Sequence, residues 1–156
     1  MLQPSSMANP SSILQQQKVP TESGRYEFLG SIGLFANGPG RMLHLLFDRE
    51  EQRWKAFEDW GIPYVKDLDR DGMSEILVQF EGLHLNGPNV NVYSFSEDNG
   101  LERASVVTEK EAQGRRLAAQ VNREPSVWTI EVGEEHESGF RSREYRYEQK
   151  KLRLIR

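Results

Sequence analysis

Apolar and polar positions along this chain alternate with a period of two in short runs, and the runs recur. In Glu75-Ile76-Leu77-Val78-Gln79-Phe80-Glu81, the residues Ile76, Val78 and Phe80 alternate with Leu77, Gln79 and Glu81, which predicts a half-buried strand. Tyr26-Glu27-Phe28-Leu29-Gly30-Ser31-Ile32-Gly33 and Val127-Trp128-Thr129-Ile130-Glu131-Val132-Gly133 predict two more strands that also end near glycine.

The strands fall into repeats. Asn37-Gly38-Pro39 and Asn86-Gly87-Pro88 lie 49 positions apart, as do Gly33 and Gly82, and Gly133 follows Gly82 by 51. After each glycine-rich turn comes a second apolar run: His44-Leu45-Leu46-Phe47, Asn91-Val92-Tyr93-Ser94-Phe95, and Glu144-Tyr145-Arg146-Tyr147. Polar turns follow at Arg49-Glu50-Glu51-Gln52, Glu97-Asp98-Asn99-Gly100 and Glu148-Gln149-Lys150-Lys151. Asn-Gly accepts positive φ at both central positions and is a strong hairpin turn. Apolar residues then return, with Trp54 and Phe57 in the first unit and Leu152 and Leu154 in the last. The expectation is an all-β chain of about three antiparallel sheet units of about 50 residues, each a strand, a turn, a second strand, a turn and a third short strand. Such a repeat suits the blades of a β-propeller, and three blades are fewer than a closed ring takes, so the propeller is open or incomplete. The polar stretch 108–121, with Leu117 and Val121 at i, i+4, is expected to form one or two helical turns as an insertion between the second and third units.

Composition adjusts this picture in one place. Of 156 residues only 37% are hydrophobic and 28% are charged, a thin supply for a core, which points to narrow layers or a polar tail. Residues 1–23 are rich in Ser, Gln and Pro, and are expected to be a disordered tail or linker to a β-repeat domain over 24–156. The net charge of −4 is too mild to imply an acidic or a basic partner. The chain has no cysteine, which removes disulfides, thiolate metal sites and thiol nucleophiles together. No run approaches the roughly 18 apolar residues that a membrane helix needs.

The densest chemistry is Asp67-Leu68-Asp69-Arg70-Asp71-Gly72-Met73-Ser74-Glu75. Four carboxylates in one short loop repel each other unless a cation sits among them, and hard oxygen ligands suit Ca²⁺. An EF-hand needs its bidentate acid at loop position 12; counting from Asp67, that place holds Val78. A nine-residue loop remains, with the side chains of Asp67, Asp69, Asp71 and Glu75 and the carbonyl of Met73 as candidate ligands of one structural Ca²⁺. Gly72 allows the tight turn.

Residues 62–78, Ile62-Pro63-Tyr64-Val65-Lys66 followed by the loop and Ile76-Leu77-Val78, resemble the calcium-loop signature of FG-GAP and VCBS repeats. Those repeats build β-propellers in integrin α-chains and in many bacterial surface and secreted proteins. In them the first, third, fifth and ninth side chains and the seventh carbonyl hold Ca²⁺, which by similarity assigns Asp67, Asp69, Asp71, Glu75 and Met73. The chain departs from the pattern in carrying Glu75 where Asp is usual and Arg70 where Gly or Asn is common. The Asp alternation also occurs once, not in every unit.

Other signals are weaker. His44, His84 and His136 show no metal-binding spacing; His44 is expected to be structural, and the other two to lie in turns. No Gly-x-Ser-x-Gly motif is present. The basic C-terminal run with Tyr145 and Tyr147 reads as a hairpin with one apolar and one charged face, not as a nucleic-acid surface. Trp54 and Trp128 fall at core-like positions of their units.

The function expected from the sequence is a calcium-stabilised binding or scaffold module, from a bacterial surface or secreted protein, with an unknown protein or glycan partner. A homo-oligomer is compatible with it. The alternatives are a hydrolase or carbohydrate-active domain on the same scaffold, and a metal-independent interaction domain whose acid loop is a plain turn.

Overall fold

The computed structural model describes residues 14–18, 24–34, 40–83, 87–96, 100–105, 117–124, 126–136 and 138–156. Its strands are β1 (Leu14–Lys18), β2 (Tyr26–Gly33), β3 (Arg41–Asp48), β4 (Arg53–Trp60), β5 (Ile62–Lys66), β6 (Glu75–Phe80), β7 (Asn89–Ser96), β8 (Gly100–Ser105), β9 (Leu117–Arg123), β10 (Trp128–His136), β11 (Gly139–Glu148) and β12 (Lys151–Leu154). Among the described residues there is no helix.

The strands form three separate antiparallel sheets, ordered β1-β2-β3-β4, β5-β6-β7-β8 and β9-β10-β11-β12. Each sheet is a meander of consecutive strands, so every pairing within it closes across a short connection. The three expected units are thus present, but each carries a fourth strand that comes first in the unit.

Those first strands correct two expectations. Leu117–Arg123 is not helical: it is β9, with Ala119 opposite Val132 and Val121 opposite Ile130. Residues 106–116 of the supposed insertion lie outside the described residues. Within the stretch assigned to a tail, Leu14–Lys18 pairs along β2 with Leu14 opposite Ile32; residues 1–13 and 19–23 lie outside the described residues. The glycine-rich turn 35–39 and turn residues 97–99 are also outside them.

Two hydrophobic layers hold the sheets together. Tyr26, Leu29 and Leu46 of the first sheet meet Ile76, Val78, Tyr93 and Phe95 of the second. On the opposite face of the second sheet, Leu77, Val90 and Val92 pack with Ala119, Ile130, Val132 and Tyr147 of the third. The middle sheet is therefore covered on both sides, and all six residues of β6 are buried. Its alternation suggested a strand with one wet face. Instead Ile76 and Val78 serve one core while Leu77 serves the other.

Polar contacts reinforce the first of these layers. Asp48 is fully buried and takes Arg25 through two oxygens at 3.0 and 2.7 Å, and Lys55 at 2.9 Å. The Arg25 guanidinium holds its carboxyl far below the usual carboxylate range. Asp59 of β4 reaches the second sheet, accepting hydrogen bonds from Tyr93 Oη at 2.7 Å and Asn91 Nδ2 at 2.8 Å. His44 is buried as expected, with Ser31 Oγ 2.8 Å from its Nδ1. Gly61 makes the passage from β4 to β5, adopting φ +123° where a Cβ would lie 2.1 Å from the Gln79 carbonyl oxygen.

Trp54 is the other correction. It does not occupy the core: it tilts against Phe47 and is 61% exposed. Trp128 packs against the second core as expected. Tyr145 and Tyr147 share the inner face of the third sheet, with Tyr147 buried. His84 lies outside the described residues, and His136 ends β10.

Candidate metal centre

The acid loop joins β5 to β6, the two strands that begin the middle sheet. The pairing of Lys66 with Glu75 closes the loop at its base, so the residues between them must turn back within a few positions. Two left-handed residues make that possible, Arg70 at φ +64° and Gly72 at φ +92°. Backbone amides then bond the acids from inside: Gly72 N donates to Asp67 Oδ2 at 3.0 Å, and Met73 N to Asp71 Oδ1 at 2.8 Å.

As a result one oxygen from each of Asp67, Asp69 and Asp71 lies within 4.8 Å of the others. Asp67 and Asp69 are half-buried and Asp71 is exposed. Two of their oxygens, Asp67 Oδ1 and Asp69 Oδ1, are shielded from solvent and have no hydrogen-bond partner. A shielded carboxylate oxygen without a donor is costly, and a cation is what such a pair suits. The residues present could therefore hold a metal cation. Asp67, Asp69 and Asp71 would hold it, and it would supply positive charge to a loop that otherwise repels itself.

Glu75 stands apart from that trio. It is buried, and its Oε2 accepts the Leu68 N–H at 2.9 Å. Burial pushes its carboxyl up to about 8; the Leu68 N–H opposes this, and the charges of Asp69, Asp71 and Asp67 add to it. Burial, with the charge of Asp71, also raises Asp69. The loop is thus poor in positive charge, and burial favours the neutral form of Glu75. Met73 is half-buried, and its amide is committed to Asp71.

The third sheet braces the loop from outside. Gln149 N, in the β11–β12 turn, donates to Asp69 Oδ2 at 3.1 Å. Arg70 turns away from the acids and bonds the Ser126 carbonyl ahead of β10. Arg70 consequently does not serve as a counter-charge inside the acid cluster. Burial, together with the charges of Glu75, Asp69 and Asp71, raises Tyr147, inward from the same turn, to about 12. Sequence reasoning missed Gln149 and Ser126, and no local signal marks them: both act through backbone atoms, and Gln149 is 80 residues from its partner.

Comparison with known proteins adds no relative: no family model matches this chain, and no curated protein or solved structure matches it.

Proposed function

We propose that the chain is a calcium-stabilised β-repeat module of the FG-GAP/VCBS type, its three sheets acting as propeller-like blades, and that it binds or scaffolds a partner. The observation that carries this reading is the pair of shielded, donor-less oxygens, Asp67 Oδ1 and Asp69 Oδ1, inside a three-aspartate cluster. The meander order of each sheet and the face-to-face packing of consecutive sheets support the blade comparison. Catalysis gains no comparable support, since Glu75, the acid best poised to carry a proton, is buried against Leu68 N–H.

Calcium modules outside cells work at about 10⁻⁴ to 10⁻³ M. A site of that strength fills only where calcium is abundant, which is the reason for assigning the module to an extracytoplasmic setting with a protein or glycan partner.

Isothermal titration of the metal-stripped protein with CaCl₂, with MgCl₂ in a parallel cell, tests the reading. One equivalent of calcium binding with millimolar or tighter affinity, and weaker magnesium binding, is the expected result. Absence of heat and of any thermal stabilisation at 10 mM calcium (roughly ten times the weak end of that range) would overturn it.

A further inference from the structure

A cleft of about 650 Å³ lies between β4 of the first sheet and β8 of the second and shares no lining residue with the acid loop. The rings of Trp54, Phe57 and Phe95 line it together with the cations Arg53, Lys55 and Arg103. No acidic side chain lines it among the described residues. In a chain of net charge −4, a hollow walled by cations and aromatic rings runs against the general composition.

Two of its three cations are tethered by acids of the same sheet. Lys55 is anchored by Asp48 and by Glu51 at 3.1 Å, and Arg53 pairs with Glu51. Neither Asp48 nor Glu51 is among the lining residues. β4 is the last strand of its sheet, and residues 53–57 line the cleft consecutively, so the hollow follows the strand edge as well as its inner face. Trp54 stands at this edge; it touches Phe47 across the sheet but keeps most of its surface in solvent.

We propose that this cleft binds a small organic anion: an aromatic body carrying one carboxylate or sulfonate. The volume falls in the range of small-molecule sites. The rings offer stacking and edge contacts to an aromatic body. Arg103 and Arg53 offer planar donors to a planar or tetrahedral anionic headgroup, and such charge-assisted bonds are the stronger kind. The proposal is independent of the metal reading, because the cleft and the acid loop share no residue.

The experiment titrates anilinonaphthalene sulfonate into the full chain in calcium-containing buffer, following energy transfer from tryptophan and the calorimetric stoichiometry. Phenylnaphthylamine, the uncharged counterpart, runs in parallel. The expected outcome is one saturable equivalent of the sulfonate, with the uncharged probe at least about tenfold weaker, as loss of a charge-assisted bond implies. Trp54→Ala and Arg103→Glu should each weaken the sulfonate about tenfold, the scale of one lost ring or headgroup contact. Arg153→Glu, on the exposed β12, should leave it unchanged, and circular dichroism confirms that each variant is folded. Non-saturable binding, equal affinity for both probes, or wild-type affinity in both cleft variants overturns the proposal.

Discussion

Asp69 and Gln149 are joined by a 3.1 Å hydrogen bond from the Gln149 amide to the Asp69 carboxylate, across 80 residues of chain. The bond places the β11–β12 turn against the acid loop and makes the loop a contact between the second and third sheets. Whatever neutralises Asp69 therefore acts on the packing of two sheets, not on one turn.

Asp69→Asn separates charge from hydrogen bonding, because the amide oxygen still accepts from Gln149. In the wild type, calcium at a hundredfold excess over Kd should add about 2.7 kcal/mol to stability. The variant should fold and lose most of that increment. Differential scanning calorimetry with and without calcium measures it, and an undiminished calcium response in the variant contradicts the assignment of Asp69.

Glu75 predicts a pH dependence in the metal-free protein. Its carboxyl ionises near 4.5 in the unfolded chain and near 8 in the native one. Between those values the native state holds a proton that the unfolded state has released, so this contribution to stability is present below 4.5 and is lost as pH rises through 8. Glu75→Gln keeps an acceptor for the Leu68 amide and should abolish that alkaline loss. Urea unfolding at pH 6 and at pH 9 tests it; equal losses in variant and wild type count against the prediction.

His44 gives the opposite sign. Burial lowers it from 6.5 to about 4, with Asp59 as a partial counterweight. The unfolded chain takes up a proton near pH 6.5 that native His44 accepts only near pH 4. About 3 kcal/mol of stability, present above pH 6.5, should thus be lost as pH falls toward 4. His44→Gln should flatten that acid limb. A limb as steep as in the wild type would show that other groups cause it.

Gly61→Ala should cost about 3 kcal/mol or more, since the added methyl meets backbone atoms of Gln79 at φ +123° and no side chain is there to yield. The urea midpoint reports it, and a loss under 1 kcal/mol (about the median for any substitution) would mean that the passage between β4 and β5 relaxes freely.

Gln149 and Lys150 both have positive φ, at 51° and 62°, in a two-residue hairpin turn. Asn and Gly suit that geometry far better. Replacing the pair with Asn-Gly should raise stability by about 1 kcal/mol while leaving the backbone bond to Asp69 intact. Unchanged or reduced stability by urea unfolding would argue that the present side chains contribute more than the turn strain costs.

The repeat was legible where strands carry strong alternation. β2, β3, β6, β7, β10 and β11 each overlap a run of apolar residues that the sequence marks as a strand. The first strand of each sheet escaped notice, and the three have a common reason. β1, β5 and β9 are edge strands with one hydrogen-bonded neighbour, short or polar in sequence: Leu-Gln-Gln-Gln-Lys, Ile-Pro-Tyr-Val-Lys and Leu-Ala-Ala-Gln-Val-Asn-Arg. Pro63 fits only because an edge strand can spare an amide. Trp54 misled for a related cause: its place in the alternation was right for a strand, but β4 is an edge and leaves the ring in solvent.

Local chemistry determined what the sequence alone could declare. Strand periodicity follows from backbone pleat, and the crowding of Asp67, Asp69 and Asp71 follows from their spacing in one turn, so both are written in neighbouring residues. Tertiary structure decided which faces were covered and which acid became buried. β6 is enclosed on two sides, Glu75 is pushed toward its neutral form, and Gln149 reaches Asp69, because sheets distant in the chain stack against one another. Burial and long-range hydrogen bonds depend on those neighbours, and no local pattern encodes them.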